Sequence, residues 1–210
     1  MNKDLKLISI IGRLGRGPQE MSDINYFCVH KDTIVIKDPG NDRVQFFNFK
    51  GNHLGYIEGI CTSPATYLKK FLYENGMFVT TAKNDSALII YNPKSEETTK
   101  FGKRYHFNSV IQNRIRNDRN ILKKGNTIIS ISDNQPFIES YDFQGKLLMT
   151  YNYSNINIIR NELLKISKLN ISERSYSVLV ADCNIYDDNI FLLKNGDFDK
   201  IIPEFRMRYY

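Results

Sequence analysis

Three segments of this chain repeat one plan of strand, turn and strand, and that recurrence limits the possible folds more than any other feature. Short apolar runs occur at DTIVIKD (32–38), GMFVTTA (76–82), NTIISIS (126–132) and NIFLLKN (189–195). Each is too short for a helix and rich in β-branched residues or Phe. Their near-continuous apolar character is that of strands buried on both faces. The first three lead through a polar turn into a second strand: DRVQFFNFKG (42–51), SALIIYNPKS (86–95) and PFIESYDFQG (136–145). Aligning Phe47, Tyr91 and Tyr141 also aligns Asn48, Asn92 and Asp142, and then Gly51, Ser95 and Gly145. The glycines supply the positive φ of a tight hairpin, after which HLGYI (53–57) and KLLMTY (146–151) continue as a third strand.

The aligned aromatic positions lie 44 and 50 residues apart, about the period of propeller blades. Such blades are small twisted sheets that bury both faces against their neighbours. A fourth unit starts near Asn189, 63 residues separating Thr127 from Ile190, and the surplus falls in NINIIRNELLKISKL (155–169). There Ile159, Leu163 and Ile166 share one helical face, so a short helix is expected between blades. The expected fold is all-β: a β-propeller of about four blades, near 24–60, 70–101, 120–153 and 176–210, forming one domain over 1–210. Four blades are few for a closed ring, and IIPEFRMRYY (201–210) ends in a strand-like run, so an incomplete ring is expected.

Apolar residues make up 41% of the 210 and aromatics 12%, ample for a packed core. No run approaches the roughly 18 apolar residues of a transmembrane span, and the first residues show no signal peptide. Cys28, Cys61 and Cys183 are far apart and form no metal-binding spacing, so they read as structural. The net charge of +6 is concentrated: residues 103–124 hold Lys103, Arg104, Arg114, Arg116, Arg119, Lys123 and Lys124 against one acid, Asp118. With Tyr105 and Phe107 nearby, this stretch could contact phosphates and stack on single-stranded RNA. Ile111, Ile115 and Leu122 instead favour a short amphipathic element with a solvated charged face.

The opening IIGRLGRGPQEM (10–21) looks at first like a phosphate loop. It lacks the G-K-[ST] ending, and its spacing does not fit a dinucleotide fingerprint. Gly12, Gly15, Gly17 and Pro18 read as geometry for a tight crossing between blades, leaving Arg13 and Arg16 as candidates for an anion. In the segment after the first apolar run, Asp38 and Asn41 are turn formers and Arg43 can pair with Asp38. The alternative has Arg43 reading an anionic ligand in a central channel.

These residues together carry a resemblance. Gly12, Gly15, Gly17, Pro18 and Glu20, then Asp38, Asn41, Arg43, Val44 and Phe47, followed by Gly51, resemble the NHL class of propeller repeat. More closely, they resemble the bacterial six-bladed β-propeller family related to it. The later units keep only the turn and strand frame. Many members of that family look like exported or lipid-anchored envelope proteins, so the resemblance implies the cell envelope or periplasm.

His30, His53 and His106 show no metal-binding spacing, and no G-x-S-x-G elbow is present, so no catalytic residue, metal or cofactor is assigned. The favoured function is a non-catalytic binding or scaffolding module. Its partner would be a protein, a carbohydrate or another small molecule at a ring face, with an anionic ligand as one option. The candidate ligand residues are Arg13, Arg16, Arg43, Arg114, Arg116 and Arg119. Two alternatives are carried: a metal-dependent hydrolase or lyase, whose His and carboxylate ligands would converge from several blades, and an NHL-like RNA binder.

Overall fold

The computed structural model describes residues 10–61, 70–82, 85–170, 172, 174–194 and 205–206. Most of IIPEFRMRYY and the first nine residues lie outside the described residues. The chain begins with two short strands, β1 (Arg13–Leu14) and β2 (Glu20–Met21), paired in parallel. An antiparallel sheet follows from β3 (Tyr26–His30), β4 (Thr33–Asp38), β5 (Arg43–Asn48) and β6 (His53–Glu58), in that order. The next sheet has β7 (Phe71–Glu74), β8 (Met77–Thr81), β9 (Leu88–Tyr91) and β10 (Thr98–Phe101). A short helix, α1 (Val110–Ile115), precedes the third sheet of β11 (Arg119–Lys124), β12 (Thr127–Ser132), β13 (Phe137–Tyr141) and β14 (Leu147–Asn152). After α2 (Asn157–Ser167), β15 (Val180–Tyr186), β16 (Asn189–Lys194) and β17 (Phe205–Arg206) make a three-stranded sheet.

The apolar runs are the second strands, β4, β8, β12 and β16. β4 and β12 are buried along most of their length, whereas β6, and β14 from Leu148 onward, alternate between half-buried and exposed positions. The strand ahead of each run is absent from the repeat alignment. YFCVH, RNILKK and VADCNIY are mixed in polarity, and their pairing to the apolar run is what makes them strands.

The aligned turn positions share one chemistry. The Asn48 side-chain oxygen accepts from the Lys50 and Asn52 amides at 3.0 and 2.9 Å, and that of Asp142 accepts from Gln144 and Lys146 at 2.9 and 2.8 Å. Asn92 accepts from Lys94 at 3.0 Å. Gly51 and Gly145 sit at φ +83° and +81°, with a register shift at Phe46/Phe47 and at Ser140/Tyr141. In the second unit the positive φ falls at Glu96, one residue later than the alignment places it.

The chain divides into two compact units, residues 1–82 with 89–98, and 83–88 with 99–210. In the first, Val35 and Val44 of one sheet pack on Phe71 and Phe78 of the next. In the second, Ile129, Ile131 and Ile138 pack on Val180 and Ile190, with Ile159 of α2 fully buried among them. Leu163 and Ile166 flank it, the helical face expected from sequence. Successive antiparallel meanders that pack face to face in pairs are propeller blades. The fold is an all-β propeller with about four blades and an inserted helix.

Candidate functional site

The glycine-rich opening belongs to the first unit and folds back onto one sheet, where the sequence suggested a crossing between two. The Glu20 carboxylate turns inward: it accepts from the Gly17 amide at 2.7 Å and pairs with Arg13 Nε at 2.8 Å, and these contacts hold it below the usual carboxylate pKa. Asp38, fully buried, accepts from the Ser22 and Asp23 amides, both at 3.1 Å, and from Asn41 Nδ2 at 2.7 Å. Asn41 also donates to the Gly15 carbonyl at 3.0 Å. Arg43, 5% exposed, donates to the Gly17 and Glu20 carbonyls, both at 2.7 Å, with Nε 3.6 Å from Asp38 Oδ2. The guanidinium is therefore a latch on the loop. Arg16 is exposed, and Phe47 is buried against Met21.

The basic stretch 103–124, in the second unit, does not present one charged face. Arg104 donates to the Asn113 carbonyl at 2.5 Å, and burial lowers its pKa. Arg119 starts β11, is 2% exposed, and lies 5.3 Å from the Tyr105 ring centroid. Burial and the nearby Glu139 carboxylate push the Tyr105 and Tyr141 hydroxyls up. Tyr105 packs on Phe137 at 4.6 Å, and Lys124 reaches Asp188 at 3.2 Å. Arg114 alone among the candidate arginines here is exposed. The expected solvated amphipathic element is corrected accordingly: α1 ends at Ile115, Leu122 belongs to a strand, and Arg104 and Arg119 serve the interior. Charges dispersed in this way, with both aromatic rings engaged, remove the observation that favoured RNA.

Arg116 differs from the others. It follows α1, which Ser109 caps by accepting from the Gln112 amide at 3.1 Å. Its guanidinium carbon stands 4.0 Å from the Phe107 ring centroid, within cation–π range. Burial alone lowers its pKa, and among the described residues its guanidinium meets no carboxylate and donates no hydrogen bond.

Arg116 lines a cavity of about 410 Å³ within the second unit. Gln112 of α1, Asn134 of the β12–β13 turn and Ile166 and Ser167 at the end of α2 form part of the wall. Asn170, Ser172, Ser175, Tyr176 and Ser177 extend it. Asn134 is 6% exposed and donates to the Arg116 carbonyl at 3.0 Å, fixing the backbone that presents the guanidinium. Gln112 Nε2 donates to the Ser175 carbonyl at 2.9 Å and ties the wall together. The sequence placed Arg116 among six candidate ligand arginines, with nothing to separate it from the other five. Ser172, Ser175, Tyr176 and Ser177 were not singled out from the sequence, where the serine-rich SERSYS (172–177) is the signal that could have found them.

Among the described residues no three His, Cys, Asp or Glu side chains are grouped to hold a metal. His30 pairs with Glu74 at 3.0 Å, His53 packs on Phe47 at 5.1 Å, and His106 is exposed. No described helix is long and apolar enough to cross a membrane.

No family model matches the chain, and no curated protein matches it. Similar solved structures include BamB from Moraxella catarrhalis, at 8% identity and TM-score 0.42, covering 80% of this chain and 39% of that one. Streptogramin B lyase gives 11%, 0.47, 89% and 55%, and Hsv2p from Kluyveromyces lactis 12%, 0.42, 82% and 46%. The chain thus spans between 39% and 55% of the length of these proteins. Likeness at this level carries no functional argument, and the fold assignment rests on the sheets themselves.

Proposed function

We propose that the protein is a non-catalytic propeller binding module that takes a small polar ligand in the cavity around Arg116. One observation carries the reading: the wall offers hydroxyls, carboxamides and one guanidinium, and among its described residues has no His, Cys or carboxylate. Such a surface can orient a ligand by hydrogen bonds but offers no evident general base beside its serines. At about 410 Å³ the cavity lies in the range of small-molecule sites. The resemblance of residues 10–57 to the bacterial six-bladed family adds the cell envelope as the place where the module works.

The test is a thermal-shift and NMR screen of the purified chain against small sugars, carboxylates and phosphates. Wild-type protein is compared with Ser177→Phe, which fills the cavity. Binding that Ser177→Phe abolishes without lowering the melting temperature supports the reading. A ligand that is chemically converted, or whose binding ignores Ser177→Phe, contradicts it.

A further inference from the structure

We infer that the cavity recognises an acidic sugar, a uronate or a sugar phosphate, and that Arg116 holds its oxyanion. This rests on the binding reading above and names the ligand class for that site.

An arginine has five N–H donors, and leaving them unmatched in a partly desolvated place is costly. Arg116 is half-buried, its environment lowers its pKa by burial alone, and no described carboxylate compensates it. The other enclosed arginines have intramolecular work: Arg43 latches the opening loop, Arg104 bonds the end of α1, and Arg119 bonds the Lys103 carbonyl at 3.4 Å. Arg116 instead has one face on Phe107, which holds the guanidinium plane and leaves its N–H edges for a bidentate oxyanion.

The rest of the wall argues for a sugar. Ser175 and Ser177 hydroxyls can both donate and accept, as sugar hydroxyls require, while Ser167, which donates to the Leu164 carbonyl at 2.9 Å, and Ser172, which donates to Ser175 Oγ at 3.0 Å, keep oxygens that accept. Ile166 and Leu169 supply apolar contact for a pyranose C–H face. The volume accommodates a ligand of about one or two sugar rings, small by the standard of ligand sites.

The full chain would be titrated calorimetrically with glucuronate, glucose 6-phosphate, glucose and inorganic phosphate. Wild type, Arg116→Gln and Arg116→Lys are compared, with circular dichroism and melting temperature confirming each fold. One acidic sugar is expected to bind at least roughly tenfold more tightly than glucose or inorganic phosphate, and which one binds separates uronate from phosphate ester. Arg116→Gln should weaken that binding about 10- to 100-fold, the value of a hydrogen-bonded charge. Arg116→Lys should fall between, since it keeps the charge without the fork.

Glucose binding as tightly and ignoring Arg116→Gln would overturn this inference while leaving the binding module standing. Inorganic phosphate matching glucose 6-phosphate would overturn the sugar assignment, as would silence from all four probes. Arg116-dependent binding accompanied by conversion of the sugar would support the assignment and overturn the non-catalytic reading instead.

Discussion

Asn117 treats Tyr105 as a neighbouring strand would: its side-chain oxygen accepts from the Tyr105 amide at 2.8 Å and its Nδ2 donates to the Tyr105 carbonyl at 3.0 Å. One helical turn earlier, Asn113 does the same to Phe107, at 2.7 and 3.0 Å. Two carboxamides therefore pair the backbone of residues 105–107, a segment that belongs to no sheet, and hold Phe107 where Arg116 lies on it. Asn117 is fully buried, so replacing it leaves two backbone groups unsatisfied. Asn117→Ala is expected to destabilise the protein by about 2–3 kcal/mol in chemical denaturation. Asn117→Asp keeps the acceptor but loses the donor, and should destabilise as well.

The Arg43 latch predicts a local defect as well as a global one. Arg43→Ala removes both bonds to the Gly17 and Glu20 carbonyls and leaves buried Asp38 short of its cation. Breaking a buried pair from one side costs about 3–5 kcal/mol, and somewhat less is expected here because Asn41 and two amides still serve Asp38. Limited trypsin digestion should cut after Arg13 and Arg16 faster in Arg43→Ala than in wild type. An unchanged cleavage rate would show that the loop holds itself in place.

Gly51 and Gly145 occupy equivalent turns with nearly equal φ, +83° and +81°, but different surroundings. A Cβ at Gly51 would meet Ile11 at an ordinary 3.5 Å, whereas one at Gly145 would lie 2.8 Å from Phe101 Cβ. Gly51→Ala therefore carries the left-handed strain alone, about 1 kcal/mol, and Gly145→Ala carries that strain plus a packing clash, about 2–4 kcal/mol together. Parallel urea titrations that rank the two variants equally would contradict this.

The cysteines make a prediction about pH. Burial pushes the Cys28 thiol up to about 12 and Cys61, which donates to the Arg43 carbonyl at 3.2 Å, up to about 11. Both stay protonated near neutrality, so a disulfide reagent at about pH 8 should leave them unlabelled until denaturant is added. A raised folded pKa stabilises the protein fully below the ordinary thiol value and progressively less as pH rises through the folded value. Stability should accordingly fall from pH 9 upward towards 12, and Cys28→Ala should show less of that fall than wild type.

What the sequence determined by itself was carried by short-range rules. Alternation and continuous burial marked the strands, and Asn48, Asn92 and Asp142 marked turns because their side chains bond amides two residues on. Ile159, Leu163 and Ile166 marked α2 because a helix brings those spacings to one face. Tertiary structure decided which charges had work to do. Arg43 acts on carbonyls 23 and 26 residues away, and Gln112 meets Ser175 63 residues along the chain. Arg114, Arg116 and Arg119 stood together as candidates in the sequence until folding buried Arg119, left Arg114 exposed and set Arg116 in a cavity where no described carboxylate meets it. No periodicity encodes that difference, because desolvation and partnering depend on which distant segments close around a side chain.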